Sequence, residues 1–412
     1  MTARPTNWAG NVRFGAAEQH SPTSVPQLQA LVARTRRVRA VGGAHSFSDI
    51  ADTPGSLVST VSLPRQIDVD SAAACVRVAA GVSYTDLARY VDAKGFALRN
   101  LASLPHLSVG GACATGTHGS GVQNGSLATA VTGMELVTAE GDLVTIGPEP
   151  GAIVHLGMLG VVTSLTLELV PAFAMHQYVL DGLPLDALDD HLDAVLSAAY
   201  SVSVFTDWGP DRRAQVWVKQ RTGEPAPAPD LPATPADGPR HPIGGMPYDN
   251  CTAQLGLEGR WYDRLPHFRA DSPPSSSGDE LQSEYLLARA DGVEALHALD
   301  RIREQVHPVL QICEVRAVAA DELWLSPFHR RDSVGLHFTW IADPGAVLPA
   351  VGLVERHLAP FGPRPHWAKL FTIAPDLVRG QYDRLPDFEA LARSYDPAGK
   401  FRNAFTDRYL AG

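Results

Sequence analysis

A short apolar segment that ends in two glycines and a histidine constrains this chain most. Residues 38–41 read V-R-A-V, which predicts a strand, and residues 41–50 continue V-G-G-A-H-S-F-S-D-I. Glycine tolerates positive φ and lets a ligand approach the backbone, so this turn can gather unpaired N–H donors around a phosphate. His45 would then be held beside that ligand. The alternative is a hairpin turn with an incidental surface histidine, because short glycine motifs recur by chance.

A second glycine-rich stretch, residues 103–125, reads S-L-P-H-L-S-V-G-G-A-C-A-T-G-T-H-G-S-G-V-Q-N-G. This composition predicts little regular secondary structure, and its N–H and hydroxyl donors suit an extended anionic ligand such as a pyrophosphate. Residues 119–125 miss the Rossmann dinucleotide fingerprint, because the third glycine comes one residue late and no strand leads into it. The sequence also has neither a phosphate-binding loop nor a nucleophile elbow, so the corresponding NTPase and hydrolase classes have no support.

Apolar periodicity before Pro171 predicts short strands separated by helices, which is typical of an α+β domain. A capped helix is expected at residues 22–33, and a second helix opens at Ser83. Strands are expected at residues 57–61, 66–70, 75–79, 132–138, 143–146 and 160–170.

Pro171 marks a predicted domain boundary. Residues 221–247 are rich in proline, which favours an extended surface excursion without a packed core, and residues 272–278 predict a second loop. Outside these two loops, the sequence between Pro171 and Lys369 predicts a domain that mixes sheet and helix. It contains strands at 312–318 and 333–340 and a helix at 348–357.

Two of these strands carry polar side chains where apolar ones are expected. Glu314 and Arg316 are two residues apart, as are His337 and Thr339, so each pair projects from one face of its strand. Apolar flanking residues favour a buried polar pocket. The alternative is a neutral ion pair on a solvated sheet. Lys369 is a further candidate, although a lone lysine more often extends to water.

The formal net charge of −11 argues against a nucleic acid or an anionic membrane as partner. No apolar run approaches the ~20 residues that cross a bilayer, and the first residues lack a signal pattern, so a cytoplasmic protein is expected. The four cysteines are widely spaced, which indicates reduced thiols, neither a disulfide framework nor a metal site.

Taken together, these segments resemble the vanillyl-alcohol-oxidase type of flavoprotein, and within it the bacterial alditol oxidases. The match spans nearly the whole chain. It comprises G-G-A-H-S at 42–46, A-S-L-P-H at 102–106, A-T-G-T-H-G at 114–119, G-V-V-T at 160–163 and D-P-A-G-K-F at 396–401. The motifs that point to polyols are E-x-R at 314–316, H-x-T at 337–339 and H-W-x-K at 366–369. Ala368 stands where glycine is expected in the closest relatives.

The resemblance implies an α+β protein with the two-domain vanillyl-alcohol-oxidase (PCMH-type) fold. Residues 1–171, completed by residues 375–412, would form the FAD-binding domain, and residues 172–374 an α+β substrate-binding domain. The implied reaction is FAD-dependent oxidation of the terminal primary alcohol of alditols, such as xylitol and sorbitol, to the aldose, with reduction of O2 to H2O2. An aldonolactone oxidase or dehydrogenase on the same fold is the alternative. The expected partners are a small polyol and O2, with no nucleic acid or membrane, and a monomer is expected.

The resemblance also assigns residues. His45 matches the histidine that bonds covalently to the flavin 8α-methyl group, and Ala102 lies near the oxygen-facing side of the flavin. No metal is implied, and His337 is a candidate proton acceptor because its charge is adjustable near neutral pH. The matched cofactor contacts are Val41, Gly42, Gly43, Ala44, His45, Ser46, Ser103, Gly111, Ala114, Thr115, Gly116, Thr117, Val162 and His366. The matched polyol contacts are Ser103, Glu314, Arg316, Thr339 and Lys369, and the catalytic candidates are Arg316, Lys369, His337 and Glu314.

Overall fold

The structure is a computed structural model, and it describes residues 6–224, 231–273 and 279–410. Helices and strands alternate irregularly along the chain, and almost all strand pairs are antiparallel, which confirms the predicted α+β class. No helix in the described ranges is long and apolar enough to cross a membrane.

The first part of the chain builds two sheets. A small parallel sheet places Ser56–Ser59 between Glu18–His20 and Val38–Val41. The helix Val25–Arg34 leads into the last of these strands, and its first turn is capped by the Ser24 hydroxyl. A five-stranded antiparallel sheet follows, in the order Ile67–Asp70, Cys75–Ala79, Val161–Glu168, Val131–Val137 and Leu143–Ile146.

Short helices and a two-stranded ribbon complete this part. The ribbon pairs Phe96–Ala97 with Val170–Pro171. The helices are Tyr84–Asp92, which begins after the predicted cap Ser83, Val109–Ala114 and Pro150–Ile153. Most predicted strands are found within one or two residues of their expected bounds. The strand expected at 160–170 ends at Glu168, after which a separate short strand begins at Val170.

The prediction of little regular structure in residues 103–125 is wrong for six residues, because Val109–Ala114 is helical. An added Cβ on Gly110 would lie 2.8 Å from the Cβ of Ala80, so the helix passes very close to the chain that follows strand Cys75–Ala79. Glycine in this segment therefore serves close packing of a helix as well as irregular turns. The glycine content of a segment does not by itself show whether its glycines lie in a closely packed helix or in irregular turns.

The second part is organised around a nine-stranded sheet. Its main order is Thr234–Pro235, Ala174–Pro184, Arg213–Arg221, Ser201–Thr206, Leu310–Val318, Ser333–Trp340, Leu281–Ala288 and Arg364–Pro365, and Gly259–Arg260 also pairs with Ala174–Pro184. In the residues that the structure describes, this part has four α-helices, Leu188–Leu196, Gly292–Asp300, Arg303–Val306 and Pro344–Leu358. Alternate residues of the central strands, such as Val315 and Leu336, form one core with these helices. The last helix is longer than the expected 348–357.

The C-terminal helices Pro375–Arg379, Leu385–Tyr395 and Ala404–Tyr409 return to the first part of the chain. Val378, Phe388 and Phe405 are fully or almost fully buried in the same core as Val76. The C-terminal helices therefore share one hydrophobic core with the first part of the chain.

The proline-rich excursion differs from its prediction in the part that the structure describes. Thr234–Pro235 adds a short edge strand to the large sheet, Ala236 packs against a buried cluster, and Pro242 and Ile243 reach a central cavity. The apolar residues between the prolines explain this return to the interior. Residues 225–230, and residues 274–278 of the second predicted loop, lie outside the described residues.

The cysteines agree with the expectation of free thiols. Cys113, Cys251 and Cys313 are buried, Cys75 is half-buried, and none forms a disulfide.

Candidate active site

Three neighbouring strands of the large sheet place charged side chains in one row. The register pairs Glu284 with His337 and His337 with Glu314, so the three residues lie side by side on one face. Arg316 and Thr339 lie on the same face, one pleat away in either direction. Glu314 and Arg316 are 2% and 4% exposed, so this face is a buried polar site and not a solvated sheet. The apolar residues that flank these two strands in the sequence therefore correctly favoured a buried polar pocket over an ion pair on a solvated sheet.

The carboxylate of Glu284 joins two cations of this site. It accepts hydrogen bonds from Arg316, at 3.2 Å from Nε and 2.8 Å from Nη2, and from Lys369 Nζ at 2.7 Å. Burial alone would raise the pKa of Glu284, but Arg316 and Lys369 outweigh burial and hold that pKa well below its usual range. Glu284 is therefore an anion that fixes the positions of both cations.

Gly335 leaves the space that this arrangement needs. An added Cβ at Gly335 would lie 3.2 Å from Glu284 Oε1 and 3.7 Å from Arg316 Cγ. A side chain here would press on the ion pair between Glu284 and Arg316. The glycine thus lets the arginine cross its neighbouring strand to reach the carboxylate.

The second carboxylate, Glu314, accepts several hydrogen bonds. Ser203 Oγ lies 2.7 Å and His267 Nε2 2.9 Å from Oε1, and His337 Nδ1 lies 3.3 Å from Oε2. Arg316 Nη1 is 3.5 Å from Oε2. Burial opposes ionisation, but Arg316 and His267 outweigh it, so the pKa of Glu314 lies well below its usual range.

The ionised state of Glu314 determines the tautomer of His337. A carboxylate only accepts hydrogen bonds, so His337 Nδ1 must carry the proton and donate it, which leaves a lone pair on Nε2. That Nε2 is buried and has no hydrogen-bond partner in the structure. Burial and the positive charge of Lys369 lower the pKa of His337. A neutral imidazole with a free acceptor atom therefore stands in the site.

One large cavity connects this face to the first part of the chain. All the predicted polyol contacts and His337 line it. Every predicted cofactor contact except Gly116 also lines it, including the whole loop 41–46. Gly116 has φ +66°, and an added Cβ would lie 3.0 Å from Pro327 Cδ, so this glycine serves a left-handed turn away from the cavity wall.

The glycine loop fits a bulky ligand that approaches its backbone. An added Cβ at Gly42 would lie 2.0 Å from Ser108 Oγ, so the loop passes against the start of helix Val109–Ala114 with no room for a side chain. Ala44 has φ +55°, which a non-glycine residue adopts at a cost. Apolar residues such as Leu107 and Val162 line the same cavity and suit a flat ring system. Backbone donors next to apolar walls are the surface that a nucleotide-linked flavin requires.

His45 faces this cavity in neutral form. Burial, and then the nearby His106, lower the pKa of His45 to about 4. Its ring stacks on Trp8, with centroids 5.8 Å apart. An unprotonated imidazole at neutral pH has a lone pair available to form a bond.

Several residues of the site were not identified in the sequence. Glu284 and Gln282 lie on strand Leu281–Ala288, two residues apart within a buried segment, and this spacing was the signal that could have revealed them. The sequence around Lys219 and His267 gives little indication that they belong to the site, because their hydrogen-bond partners are distant in sequence. His118 lies in the A-T-G-T-H-G motif at 114–119, and its Nε2 lies 3.2 Å from Glu284 Oε1. The motif alone did not predict this contact.

One histidine–glutamate cluster has spacing that suits a metal. His118, Glu284 and His366 each offer a ligand atom, and these atoms lie within 4.8 Å of one another. However, Arg316 and Lys369 already donate to the only carboxylate of the cluster. Two positive charges beside the cluster oppose a further cation, so we propose no metal here.

Comparisons with known proteins match this architecture. Residues 20–147 match the family model of an FAD binding domain, and residues 279–409 match that of D-arabinono-1,4-lactone oxidase. The chain is 53% identical to the alditol oxidase of a Streptomyces species over 100% of both chains. It is 29% identical to the L-gulonolactone oxidase of Scyliorhinus torazame, covering 98% of this chain and 97% of that protein.

Solved structures confirm the fold. A cholesterol oxidase from Brevibacterium sterolicum superposes with a TM-score of 0.79, covering 98% of this chain and 96% of that chain, at 16% sequence identity. This identity is too low to carry function, so the likeness shows the fold alone. It confirms the predicted vanillyl-alcohol-oxidase fold.

Proposed function

The chain belongs to the alditol oxidase family of FAD-linked oxidases, and from this premise we propose that it oxidises the terminal primary alcohol of alditols such as xylitol and sorbitol. The product is the aldose, and O2 is reduced to H2O2. The observation that carries this proposal is the cavity that Arg316, Lys369 and His337 line together, with Nε2 of His337 left without a hydrogen-bond partner. When bound, FAD supplies the acceptor for two electrons and passes them to O2.

We propose that His337 accepts the hydroxyl proton. His337 lines the cavity, its Nε2 has an unshared lone pair, and its Nδ1–H is held by Glu314. A histidine oriented by a carboxylate in this way is the arrangement that general-base catalysis uses in other enzymes. Proton transfer to Nε2 would produce an imidazolium next to the Glu314 anion, which stabilises it.

Arg316 and Lys369 stabilise the alkoxide that develops as the proton leaves. Both cations line the cavity and are held from behind by Glu284, so little reorganisation is needed when charge appears on the substrate oxygen. The pKa of Lys369 is lowered by burial, which Glu284 partly offsets. A lysine with a lowered pKa is also a stronger hydrogen-bond donor to an oxyanion.

The polyol chain needs hydroxyl partners as well as charge. Ser103 accepts a hydrogen bond from Arg316 Nη1 at 3.2 Å, which orients its hydroxyl at the cavity wall. Thr339 lies in the cavity one pleat from His337, and Glu314 lies opposite. Alternating donors and acceptors of this kind suit an open polyhydroxyl chain.

The cofactor-binding residues that we propose are those of the glycine loop and of the segment around helix Val109–Ala114, together with Val162 and His366. We propose further that His45 holds FAD through a covalent bond, since its neutral ring faces the cavity and is held by Trp8. If so, acid-precipitated protein remains yellow, and His45→Ala releases its flavin into the supernatant. Free flavin from the unaltered protein would contradict the bond.

We propose the domain division that the sequence suggested. Residues 1–171 with 375–412 bind FAD, and residues 172–374 bind the substrate. The packing of the three C-terminal helices on the first core supports the first unit, and the continuous nine-stranded sheet supports the second. The expectations of a monomer and of a cytoplasmic location stay predictions.

The second candidate is oxidation of an aldonolactone, which the D-arabinono-1,4-lactone oxidase match over residues 279–409 favours. Steady-state turnover with peroxide detection separates the two. We expect peroxide with xylitol or sorbitol at rates well above those with L-gulono-1,4-lactone. Turnover of the lactone without turnover of alditols would favour the second candidate.

A further inference from the structure

Lys219 is a buried lysine to which the proposed mechanism gives no role. It lies on strand Arg213–Arg221, is 1% exposed, and does not line the cavity. The sequence contains only four lysines, and a fully buried one needs specific partners. Its Nζ donates to the carbonyl of Leu265 and lies 3.0 Å from His267 Nδ1.

The partners of Lys219 lead back to the site. His267 receives Lys219 at Nδ1 and contacts Glu314 Oε1 through Nε2, at 2.9 Å. Glu314 in turn holds His337 Nδ1 at 3.3 Å. Lys219, His267, Glu314 and His337 therefore form one chain of hydrogen bonds, which starts at a buried lysine on the same face of the sheet as Glu314 and ends at the cavity.

The donor and acceptor of each link follow from chemistry. An ammonium group only donates, so His267 Nδ1 must accept and the His267 proton must be on Nε2. That proton satisfies Glu314 Oε1, and the ionised Glu314 keeps the proton of His337 on Nδ1. Lys219 and the ionised Glu314 both require the His267 proton on Nε2, and Glu314 in turn sets the tautomer of His337, as in carboxylate–histidine pairs that orient a base.

We propose that Lys219 is a positioning residue that, through His267 and Glu314, keeps Nε2 of the cavity-lining His337 unprotonated. This inference rests on the proposed role of His337 as proton acceptor. Lys219 acts only through the other three residues and does not touch the substrate.

The surroundings of Lys219 are compatible with this role. Burial lowers the pKa of Lys219 to about 7, and the charges of Glu314, Arg264 and Arg316 and the thiol of Cys251 also act on it. A neutral amine can also accept a hydrogen bond, and in that state the ionised Glu314, which only accepts, still keeps the His267 proton on Nε2. Burial and the charge of Lys219 lower the pKa of His267 to about 4, which keeps that ring neutral.

The first experiment compares Lys219→Met with Lys219→Gln. Methionine fills the space but donates nothing, whereas glutamine keeps N–H donors. We expect Lys219→Met to slow anaerobic flavin reduction by an alditol by ~10-fold, the lower end for loss of a residue that orients a histidine. Lys219→Gln should retain more of the rate than Lys219→Met. Lys94→Met, on the exposed surface, is the matched control and should react at the unaltered rate.

The second measurement needs no turnover. 15N chemical shifts of histidine-labelled protein report which ring nitrogen is protonated, and His267→Gln and His337→Gln assign the two signals. We expect His337 to be protonated at Nδ1 in the unaltered protein. In Lys219→Met, His267 loses its partner at Nδ1 and no longer holds Glu314 against His337 Nδ1, so His337 should become a tautomer mixture. A purely structural lysine would leave this tautomer unchanged, so an unchanged His337 tautomer in a folded Lys219→Met variant overturns the proposal.

If Lys219→Met does not fold, His267→Gln and His267→Phe make the same comparison. Glutamine keeps a donor toward Glu314 and phenylalanine does not, so only the second should disturb the His337 tautomer. An equal effect of both would overturn the chain. Failure of the proposed function has a different signature, namely no flavin reduction by any alditol in unaltered protein while the His337 tautomer still responds to Lys219.

Discussion

At the scale of single residues, the site depends on one anion that holds two cations. Glu284 is not a cavity-lining residue, yet it accepts hydrogen bonds from both Arg316 and Lys369. The cations thereby gain fixed positions without losing their exposure to the cavity. His337, whose Nε2 has no hydrogen-bond partner, lines the same cavity. In the proposed mechanism, proton removal and charge stabilisation are therefore served by separate groups.

Removing either cation should slow the chemical step. We expect Arg316→Ala and Lys369→Ala each to reduce the rate of anaerobic flavin reduction by ~100-fold or more, the usual cost of losing an oxyanion donor. Stopped-flow absorbance at saturating xylitol measures this rate. Lys94→Ala is the control, and reduction of the two site variants at the unaltered rate would remove these residues from the mechanism.

The pH dependence of flavin reduction follows from His337. A proton acceptor must be neutral, and burial and Lys369 lower the pKa of His337, so the rate should fall only below the ordinary histidine pKa of about 6.5. Lys369→Met removes one of the lowering influences, so its acid limb should move to higher pH. An acid limb that stays in place in Lys369→Met would argue that another group accepts the proton.

At the scale of elements, an N-terminal segment holds the loop that bears His45. Asn7 Nδ2 and Asn11 Nδ2 donate to the carbonyls of Ser46 and Phe47, at 2.9 Å and 2.8 Å. Trp8 N donates to the carbonyl of Ala44, at 2.8 Å. The opposite side of the loop is held by the Lys369 segment, since Phe47 N donates to the carbonyl of Ala368. This hydrogen bond links the proposed cofactor loop to the segment that bears Lys369, the proposed catalytic lysine.

This segment should control attachment of the cofactor. We expect Trp8→Ala to lower the fraction of protein that retains flavin after acid precipitation, because the His45 ring loses its stacking partner. Trp8→Phe keeps an aromatic ring and should retain most of the attachment. Equal retention by all three proteins would show that the segment is not needed to position His45.

The sequence predicted the bounds of the strands and helices better than it predicted which strands lie next to one another in the sheet. Strand Ser333–Trp340 was expected with its observed bounds, and the two-residue spacings in it and in strand Leu310–Val318 correctly placed the polar residues on one face. Glu284 escaped notice because its partners come from other strands, and strand order is not encoded in local periodicity. The glycines at 110 and 111 were expected in irregular chain, but close packing makes that segment helical.

At the scale of the whole molecule, the reaction site lies where the two parts of the chain meet. The first part contributes the glycine loop, Ser103 and the helix Val109–Ala114, and the large sheet contributes the charged face. Arg316 Nη1 donates to Ser103 Oγ across this junction, at 3.2 Å. The geometry of cofactor relative to substrate is therefore set by packing between the two parts and not by either alone.

The central claim is that this junction transfers hydride equivalents from an open-chain sugar alcohol to FAD. The most direct test is the absorption spectrum of the purified protein under anaerobic conditions, before and after addition of xylitol. The account predicts that the flavin band near 450 nm bleaches on the time scale of turnover and returns when O2 is admitted. A band that persists with xylitol and sorbitol, yet bleaches with L-gulono-1,4-lactone, would contradict it.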